Sequence, residues 1–158
     1  MELLKSIIVD FCLFGLFEGW ICCLFFEKIG KTNKFKWYQI LILSFINCII
    51  SKIFNPIIYQ ILMIIWTISF LTIYKKFKLF KNIKYGLFCV LYMLIIEMNY
   101  SILLEIFFNI DCFNLTILNK FIYMIPLRFM EILIIYYYEY YQKNKRGDII
   151  EDVARRNS

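Results

Sequence analysis

The most informative absence in this sequence is histidine, which does not occur once in its 158 residues. Histidine is the commonest general base and metal ligand, and its protonation is the usual switch near neutral pH. Without it, the chain has no Ser–His protease pair, no H-E-x-x-H metalloprotease motif and no phosphoacceptor of a histidine kinase. The reaction classes that depend on histidine are therefore excluded.

Motifs that bind metals, nucleotides or redox partners are also missing. None of the six cysteines forms a C-x-x-C pair, and the chain has neither a Walker loop nor a G-x-G-x-x-G turn. Five cysteines lie in apolar runs, where cysteine behaves as a small hydrophobic residue, and Cys112 lies in a predicted loop as an accessible thiol. We therefore predict that the protein is not an enzyme and has no catalytic residues, no metal site and no cofactor.

What the sequence does contain is an excess of apolar residues. They make up 62% of the chain, whereas soluble domains are about 45–50% apolar, and the mean hydropathy is +0.69. The net charge of +6 is concentrated between the apolar runs, so no basic face predicts nucleic-acid binding. These features predict one integral membrane domain.

Five apolar segments are predicted to cross the bilayer, which takes about 20 helical residues. They are residues 4–26, 37–53, 57–74, 85–108 and 121–138. The predicted fold class is an all-α, polytopic membrane helix bundle of about five transmembrane helices. Residues 1–142 form the bundle and residues 143–158 a short charged cytoplasmic tail. Pro126 is expected to kink the fifth helix or to end its first turn.

The basic residues between these segments alternate in abundance along the chain. Residues 27–36 hold four lysines, residues 74–84 hold five, and the tail after residue 142 is also basic. The opposite side carries only Lys5, Lys52 and Lys120. Because lysine and arginine near membrane ends favour the cytoplasm, we predict that the N-terminus lies outside and the C-terminus inside.

Ionisable residues inside the predicted spans are the candidate functional site. Each costs roughly 2.5–3.5 kcal/mol at mid-membrane, so it needs a partner or a function. At a rise of about 1.5 Å per residue, Glu97 and Arg128 reach similar depths and are predicted to pair. Glu131 follows Arg128 by three residues and faces the same way. The candidate ligand-binding residues are Asp10, Glu97, Glu105, Arg128 and Glu131.

Two interpretations of these charges stay open: a salt bridge that fixes helix register, or an outward-facing acidic site for a ligand. Glu18 is expected to share a side with Asp10, eight residues earlier, but to lie in the inner half and to contribute less. Asn47 is predicted to hydrogen-bond to a neighbouring helix. The excess of acids over one arginine favours a peptide with apolar side chains and a free amine, or a monovalent cation.

Several segments together resemble a known membrane module. They are F-E-G-W-I around Glu18, the first lysine-rich loop, the proline after the second span, I-I-E in the fourth span and I-P-L-R-F-M-E-I-L-I-I-Y at residues 125–136. Their layout resembles the membrane-embedded sensor half of peptide-pheromone histidine kinases of the accessory-gene-regulator type. The resemblance implies reception of a secreted peptide by the membrane helices. The kinase module is missing, so no kinase activity is expected.

The leading functional hypothesis is a sensor, receptor-like or accessory module that recognises a peptide signal. The alternatives are a holin-like or immunity membrane protein and a small transporter or channel subunit. The expected partners are the lipid bilayer, a peptide or small cationic ligand, and a membrane protein or a second copy of the chain. Heavy use of isoleucine, phenylalanine, tyrosine, asparagine and lysine is typical of an AT-rich bacterial genome, so we expect a bacterial cell membrane.

Overall fold

The described residues, 7–74, 77–110 and 117–156 of a computed structural model, form five helices and no strand. The helices are α1 Ile7–Lys28, α2 Trp37–Ile53, α3 Pro56–Ile73, α4 Leu79–Phe108 and α5 Ile117–Arg156. The predicted all-α helix bundle is thus confirmed. The predicted loop that carries Cys112 lies outside the described residues.

The lengths of these helices match a lipid environment. Among the described residues, α1, α4 and the Phe121–Asn144 part of α5 are each long and apolar enough to cross a membrane. α2 and α3 have 17 and 18 residues, which corresponds to about 26 and 27 Å. Both are slightly shorter than a hydrocarbon core of about 30 Å. The chain is therefore a helical membrane protein.

Contacts between helix ends show that consecutive helices run in opposite directions. Asp10, near the start of α1, forms an ion pair with Lys52, near the end of α2. At this end of the bundle, the Asp10 end, the Tyr100 hydroxyl of α4 also donates a hydrogen bond to the Tyr123 carbonyl of α5, at 2.8 Å. Because Asp10 and Lys52 lie at opposite termini of their helices, α2 extends alongside most of α1.

The opposite end of the bundle is held by a second set of contacts and is called the Glu139 end. The Phe35 amide donates a hydrogen bond to the Glu27 carboxylate at 2.6 Å, which closes the connection between α1 and α2. Lys28, the last residue of α1, forms an ion pair with Glu139 of α5 at 3.1 Å. α1 and α5 are therefore parallel neighbours that meet near the same end.

α1 packs against three other helices, α2, α4 and α5. Its Phe25 and Phe26 side chains are fully buried in an aromatic core towards the Glu139 end. Phe25 lies 5.3 Å from the Tyr92 ring of α4, and aromatic pairs at such distances add to the stability from burial. This core fixes α1 between its neighbours and so positions its polar residues.

Small residues bring α1 and α2 into close contact. A methyl group added at Gly15 would overlap with the Cys48 thiol, and one added at Gly19 would overlap with the Ser44 side chain. The spacing is small-x-x-x-small on both helices, which is the pattern that lets membrane helices approach closely. The Ser44 hydroxyl donates to the Ile40 carbonyl of its own helix at 2.8 Å. These contacts fix the rotation of α2 against α1.

Two of the helix ends follow from local chemistry. Asn55 caps α3 by accepting a hydrogen bond from the Ile58 amide at 2.9 Å, directly before Pro56 at the first helical position, where proline fits. Asn109 ends α4 in the left-handed region, with φ 52°, a conformation that asparagine tolerates. α4 begins at Leu79, before the predicted residue 85, and α5 continues to Arg156, past the predicted residue 138. The predicted bounds were those of the apolar segments, and both helices continue into the polar residues beside them.

Candidate functional site

Arg128 of α5 lies at the centre of a charged cluster. Its side chain is only 6% exposed. Its Nη2 atom lies 2.6 Å from Glu18 Oε1 of α1 and 3.0 Å from Glu97 Oε1 of α4. Its Nη1 atom lies 2.9 Å from both carboxylate oxygens of Glu131. Arg128, Glu18, Glu97 and Glu131, the Arg128 cluster, therefore join three helices through one guanidinium group.

The local sequence of α5 explains why Arg128 and Glu131 pair. Glu131 lies one helical turn after Arg128, on the same face, and it is completely buried. The Tyr92 hydroxyl of α4 donates a hydrogen bond to the Glu131 carbonyl at 2.6 Å, which holds α4 against α5 at this level. The planar fork of arginine can bond carboxylates on two sides at once. The predicted Glu97–Arg128 and Arg128–Glu131 pairs are both present.

The charges of the Arg128 cluster do not balance within it. Three carboxylates surround one guanidinium, which leaves an excess of two negative charges when all four groups are ionised. Charge excess is costly in a region of low dielectric constant, so the cluster attracts protons or cations and repels anions. The preference for a cationic rather than an anionic ligand stays a prediction.

Two cavities of different character flank the cluster. The first, the polar cavity, has a volume of about 40 Å³, and its polar lining residues are Glu18, Asn47, Tyr59, Gln60 and Glu97. The second, the α1–α5 groove, has a volume of about 290 Å³. Arg128 lines it together with apolar side chains of α1 and α5, among them Phe14, Phe17, Trp20, Phe121, Ile125 and Phe129. The carboxylates of Glu18 and Glu97 thus face one cavity and the guanidinium of Arg128 the other.

Asn47 is the unexpected member of the polar cavity. Asn47 is 2% exposed, and within the described part of the chain neither its amide nitrogen nor its amide oxygen has a hydrogen-bond partner. The predicted hydrogen bond to a neighbouring helix was therefore wrong. Close packing at Gly15 and Gly19 sets the rotation of α2, and at that rotation Asn47 faces the polar cavity.

The candidate residues from the sequence separate into two groups. Glu97, Arg128 and Glu131 come together in the cluster. Asp10 pairs with Lys52 at the Asp10 end, and Glu105 is exposed on α4, so neither of these two acids belongs to the cluster. The five candidate residues therefore do not come together at one place, and their part in ligand binding stays a prediction.

Glu18 is the cluster residue that sequence reasoning underestimated. It was expected to contribute less than Glu97, yet it is the acid nearest to Nη2 of Arg128. It was also expected to share a side with Asp10, but the two acids contact different helices. A π-helical turn at Phe11–Gly15 lies between them, so the regular rotation of about 100° per residue does not hold there. Glu18 itself follows this turn by three residues.

Comparisons with known proteins give no match, whether to a family model, to a curated protein or to a solved structure. Within the part of the chain that the structure describes, no group of three or more cysteine, aspartate and glutamate residues could hold a metal ion. The function must therefore be inferred from the cluster and the two cavities beside it.

Proposed function

We propose that this chain is a multi-pass receptor module of a bacterial cell membrane that binds a peptide with apolar side chains in the α1–α5 groove. The position of this groove directly beside the Arg128 cluster is the observation that carries the proposal. An apolar cleft with a few fixed polar groups is the usual form of a ligand site.

The composition of the groove favours an apolar peptide. Phe14, Phe17 and Trp20 of α1 lie opposite Phe121 and Phe129 of α5. Burying one large apolar side chain contributes roughly 1.5–3 kcal/mol, so two or three such side chains of a ligand supply useful affinity. The buried Arg128 cluster beside the groove joins its two walls, because Arg128 of α5 pairs with Glu18 of α1. The groove therefore combines apolar walls with a polar base.

The contacts between α1 and α5 offer a route for a signal. The two helices are joined at the level of the groove by Arg128 and Glu18 and at the Glu139 end by Lys28 and Glu139. The Lys28 ammonium also lies 5.0 Å from the centre of the Tyr136 ring. A ligand that binds better to one separation of α1 and α5 shifts the population of that state. α5 then carries the change towards its end at Arg156.

The antiparallel arrangement supports five crossings with the Asp10 end outside. α2 extends alongside most of α1, from near Phe35 to the Lys52–Asp10 pair. The short α2 therefore crosses the membrane together with α1. The lysine-rich connections lie at the Glu139 end, which by the charge rule is cytoplasmic. The groove extends from Phe121 to Ile132 of α5, in the half of the Phe121–Asn144 span nearer the Asp10 end, and in this topology it is within reach of a secreted peptide.

Fluorescence of Trp20 tests peptide binding directly. The purified protein is placed in lipid nanodiscs with Trp37 and Trp66 replaced by phenylalanine, so that Trp20 is the only tryptophan. Synthetic peptides encoded by neighbouring genes are then titrated. We expect a saturable change in emission, and we expect Phe129→Ala to weaken binding by about tenfold, which corresponds to about 1.4 kcal/mol.

The control variant is Phe107→Ala, which removes another exposed phenylalanine, from α4 and outside the groove, and should leave binding unchanged. Equal weakening by both variants would mean that the peptide does not occupy the groove. If none of the neighbouring peptides binds the intact protein, peptide reception is wrong.

A second candidate function, a small transporter or channel subunit, is favoured by the polar cavity beside Glu18 and Glu97. Polar groups between membrane helices often mark an ion pathway. Proteoliposomes that contain the purified protein would show cation flux above that of empty liposomes if this alternative is correct.

A further inference from the structure

We infer that the polar cavity is a binding site for one small monovalent cation such as Na⁺. The site is distinct from the α1–α5 groove and does not depend on peptide reception. It lies on the other side of the Arg128 cluster, among the first four helices of the chain. Its evidence is the set of side chains that line it, the unpaired amide of Asn47, the local charge and the size of the cavity.

The polar lining of the cavity comes from four helices and is dominated by oxygen atoms. Glu18 comes from α1, Asn47 from α2, Tyr59 and Gln60 from α3, and Glu97 from α4. Carboxylate, amide and hydroxyl oxygens are the ligands that hard cations prefer. Ligands from four separate helices can surround an ion, whereas neighbouring residues of one helix present their oxygens from one side only.

Asn47 provides the independent indication of a ligand. Its amide is almost fully buried, lines the cavity, and has no partner for its oxygen or its nitrogen. Buried polar atoms in folded proteins nearly always have a partner, and leaving one without it is costly. A cation accepts the amide oxygen as a ligand, and a water bound to that cation can accept the amide hydrogens. Occupation of the cavity therefore provides partners for a buried amide that has none among the described residues.

The charge around the cavity favours a monovalent cation. The Arg128 cluster has three carboxylates and one guanidinium, and two of those carboxylates, Glu18 and Glu97, line the cavity. One positive charge reduces this excess to one negative charge and two would cancel it, so the cost of dehydrating the ion decides between them. A divalent ion carries a desolvation cost about four times larger, because that cost scales with the square of the charge. It would also need more ligands, since Ca²⁺ takes 6–8 oxygens.

The size of the cavity limits what can enter. Its volume of about 40 Å³ exceeds the 10–15 Å³ or so that one water needs, but it leaves no room for an amino-acid side chain. Met63, Val90 and Met93 also line it, with apolar side chains. A bare ion with at most one or two waters is the occupant that matches this space.

Binding of Na⁺ can be measured on the intact protein in nanodiscs. Scintillation proximity with ²²Na⁺ should show saturable binding of one ion per chain, displaced by unlabelled Na⁺ and not by choline. Replacement of choline by Na⁺ at constant ionic strength should also raise the melting temperature. Asn47→Leu and Gln60→Leu should each reduce ²²Na⁺ binding at least tenfold, the first without loss of stability in choline because it removes an unpaired amide.

The matched control is Asn82→Leu. Asn82 is also a buried asparagine, but it lies in α4 near the Glu139 end and donates to Thr72 and to the Phe77 carbonyl. This variant should lose stability yet keep the Na⁺-dependent shift of its melting temperature. Absence of ²²Na⁺ binding by the intact protein, including the case in which only pH changes its melting temperature, overturns the cation site. Full binding by both Asn47→Leu and Gln60→Leu would do the same.

Discussion

At the scale of single residues, Arg128 determines how the buried acids are arranged. Its guanidinium bonds Glu131 through one nitrogen and Glu18 and Glu97 through the other. A lysine would keep the charge but not the planar fork that serves both sides. The three acids differ in burial, however, since Glu131 is fully buried whereas the Glu97 side chain is 35% exposed. When Arg128 is removed, an unpaired Glu131 should therefore cost the protein more stability than an unpaired Glu97.

This difference predicts an order of stability among three variants. Arg128→Gln should destabilise the protein by roughly 3–5 kcal/mol, because it leaves buried carboxylates without their cation. Arg128→Gln combined with Glu131→Gln should recover most of that loss. Arg128→Gln combined with Glu97→Gln should recover less, because Glu97 is the more exposed acid. Denaturant unfolding in detergent, followed by circular dichroism, measures all three.

The single variant Glu97→Gln is the control for this series, and it should change stability less than Arg128→Gln does. Equal recovery by the two double variants would show that Glu131 is not the acid most dependent on Arg128. No loss of stability in Arg128→Gln would show that the cluster is not the buried structure described above.

At the scale of elements, α1 contains several features that determine how the helices pack. It combines a π-helical turn, two glycines and the acid that contacts Arg128. Turns of this kind often occur at functional sites. In α1 the turn ends at Gly15, which packs against Cys48 of α2. The same helix therefore sets both the close α1–α2 contact and the position of Glu18 beside the polar cavity.

The close contact between α1 and α2 predicts a size-dependent effect at Gly19. Gly19→Ala should destabilise the protein by about 1–3 kcal/mol, because the added methyl group overlaps with Ser44 and overpacking costs this much. Combining it with Ser44→Gly should restore part of the loss, since the second change removes the atoms that clash. A double-mutant cycle of melting transitions in detergent measures the coupling.

A larger side chain on the exposed face of α1 serves as the control. Cys12 is exposed on α1, so Cys12→Val adds volume towards lipid and should have little effect on stability. If Gly19→Ala is tolerated as well as Cys12→Val, the two helices do not approach as closely as the structure shows.

At the scale of the whole molecule, the proposed topology has all five antiparallel helices crossing the bilayer, so that the first and last described residues lie on opposite sides. The lysine-rich connections at the Glu139 end and the scarcity of basic residues at the Asp10 end give the direction. The short α2 and α3 helices fit this scheme because Trp37 and Tyr38 suit an interface and Lys52 extends its ammonium group towards Asp10 and the headgroups.

This topology predicts which positions a membrane-impermeant thiol reagent reaches. In a variant without native cysteines, Asn55→Cys should be labelled in intact cells. Lys31→Cys and Lys78→Cys should be labelled only after the membrane is opened. A fluorescent protein fused to the C-terminus should report a cytoplasmic location. Labelling of Lys31→Cys in intact cells, or an external C-terminus, would contradict the five-helix topology.

The sequence by itself determined the membrane class, the approximate positions of five helices, and two of the ion pairs of Arg128. These features depend on quantities that can be counted along the chain. Apolar length marks a span, and residues three apart on a helix, such as Arg128 and Glu131, share a face. The Glu97–Arg128 pair also followed from counting, because depth in a membrane is proportional to residue number at about 1.5 Å per residue.

Only the tertiary structure decided which helix faces meet. Glu18 joined the Arg128 cluster, Asp10 paired with Lys52 instead, and Asn47 faced a cavity rather than a partner helix. In a soluble protein, the apolar face of a helix points to the core, so its rotation can be read from the sequence. Here lipid and bundle interior are equally apolar, and rotation is set by close packing at small residues such as Gly15 and Gly19. The polar cavity and the α1–α5 groove are consequences of those rotations, which no one-dimensional pattern specifies.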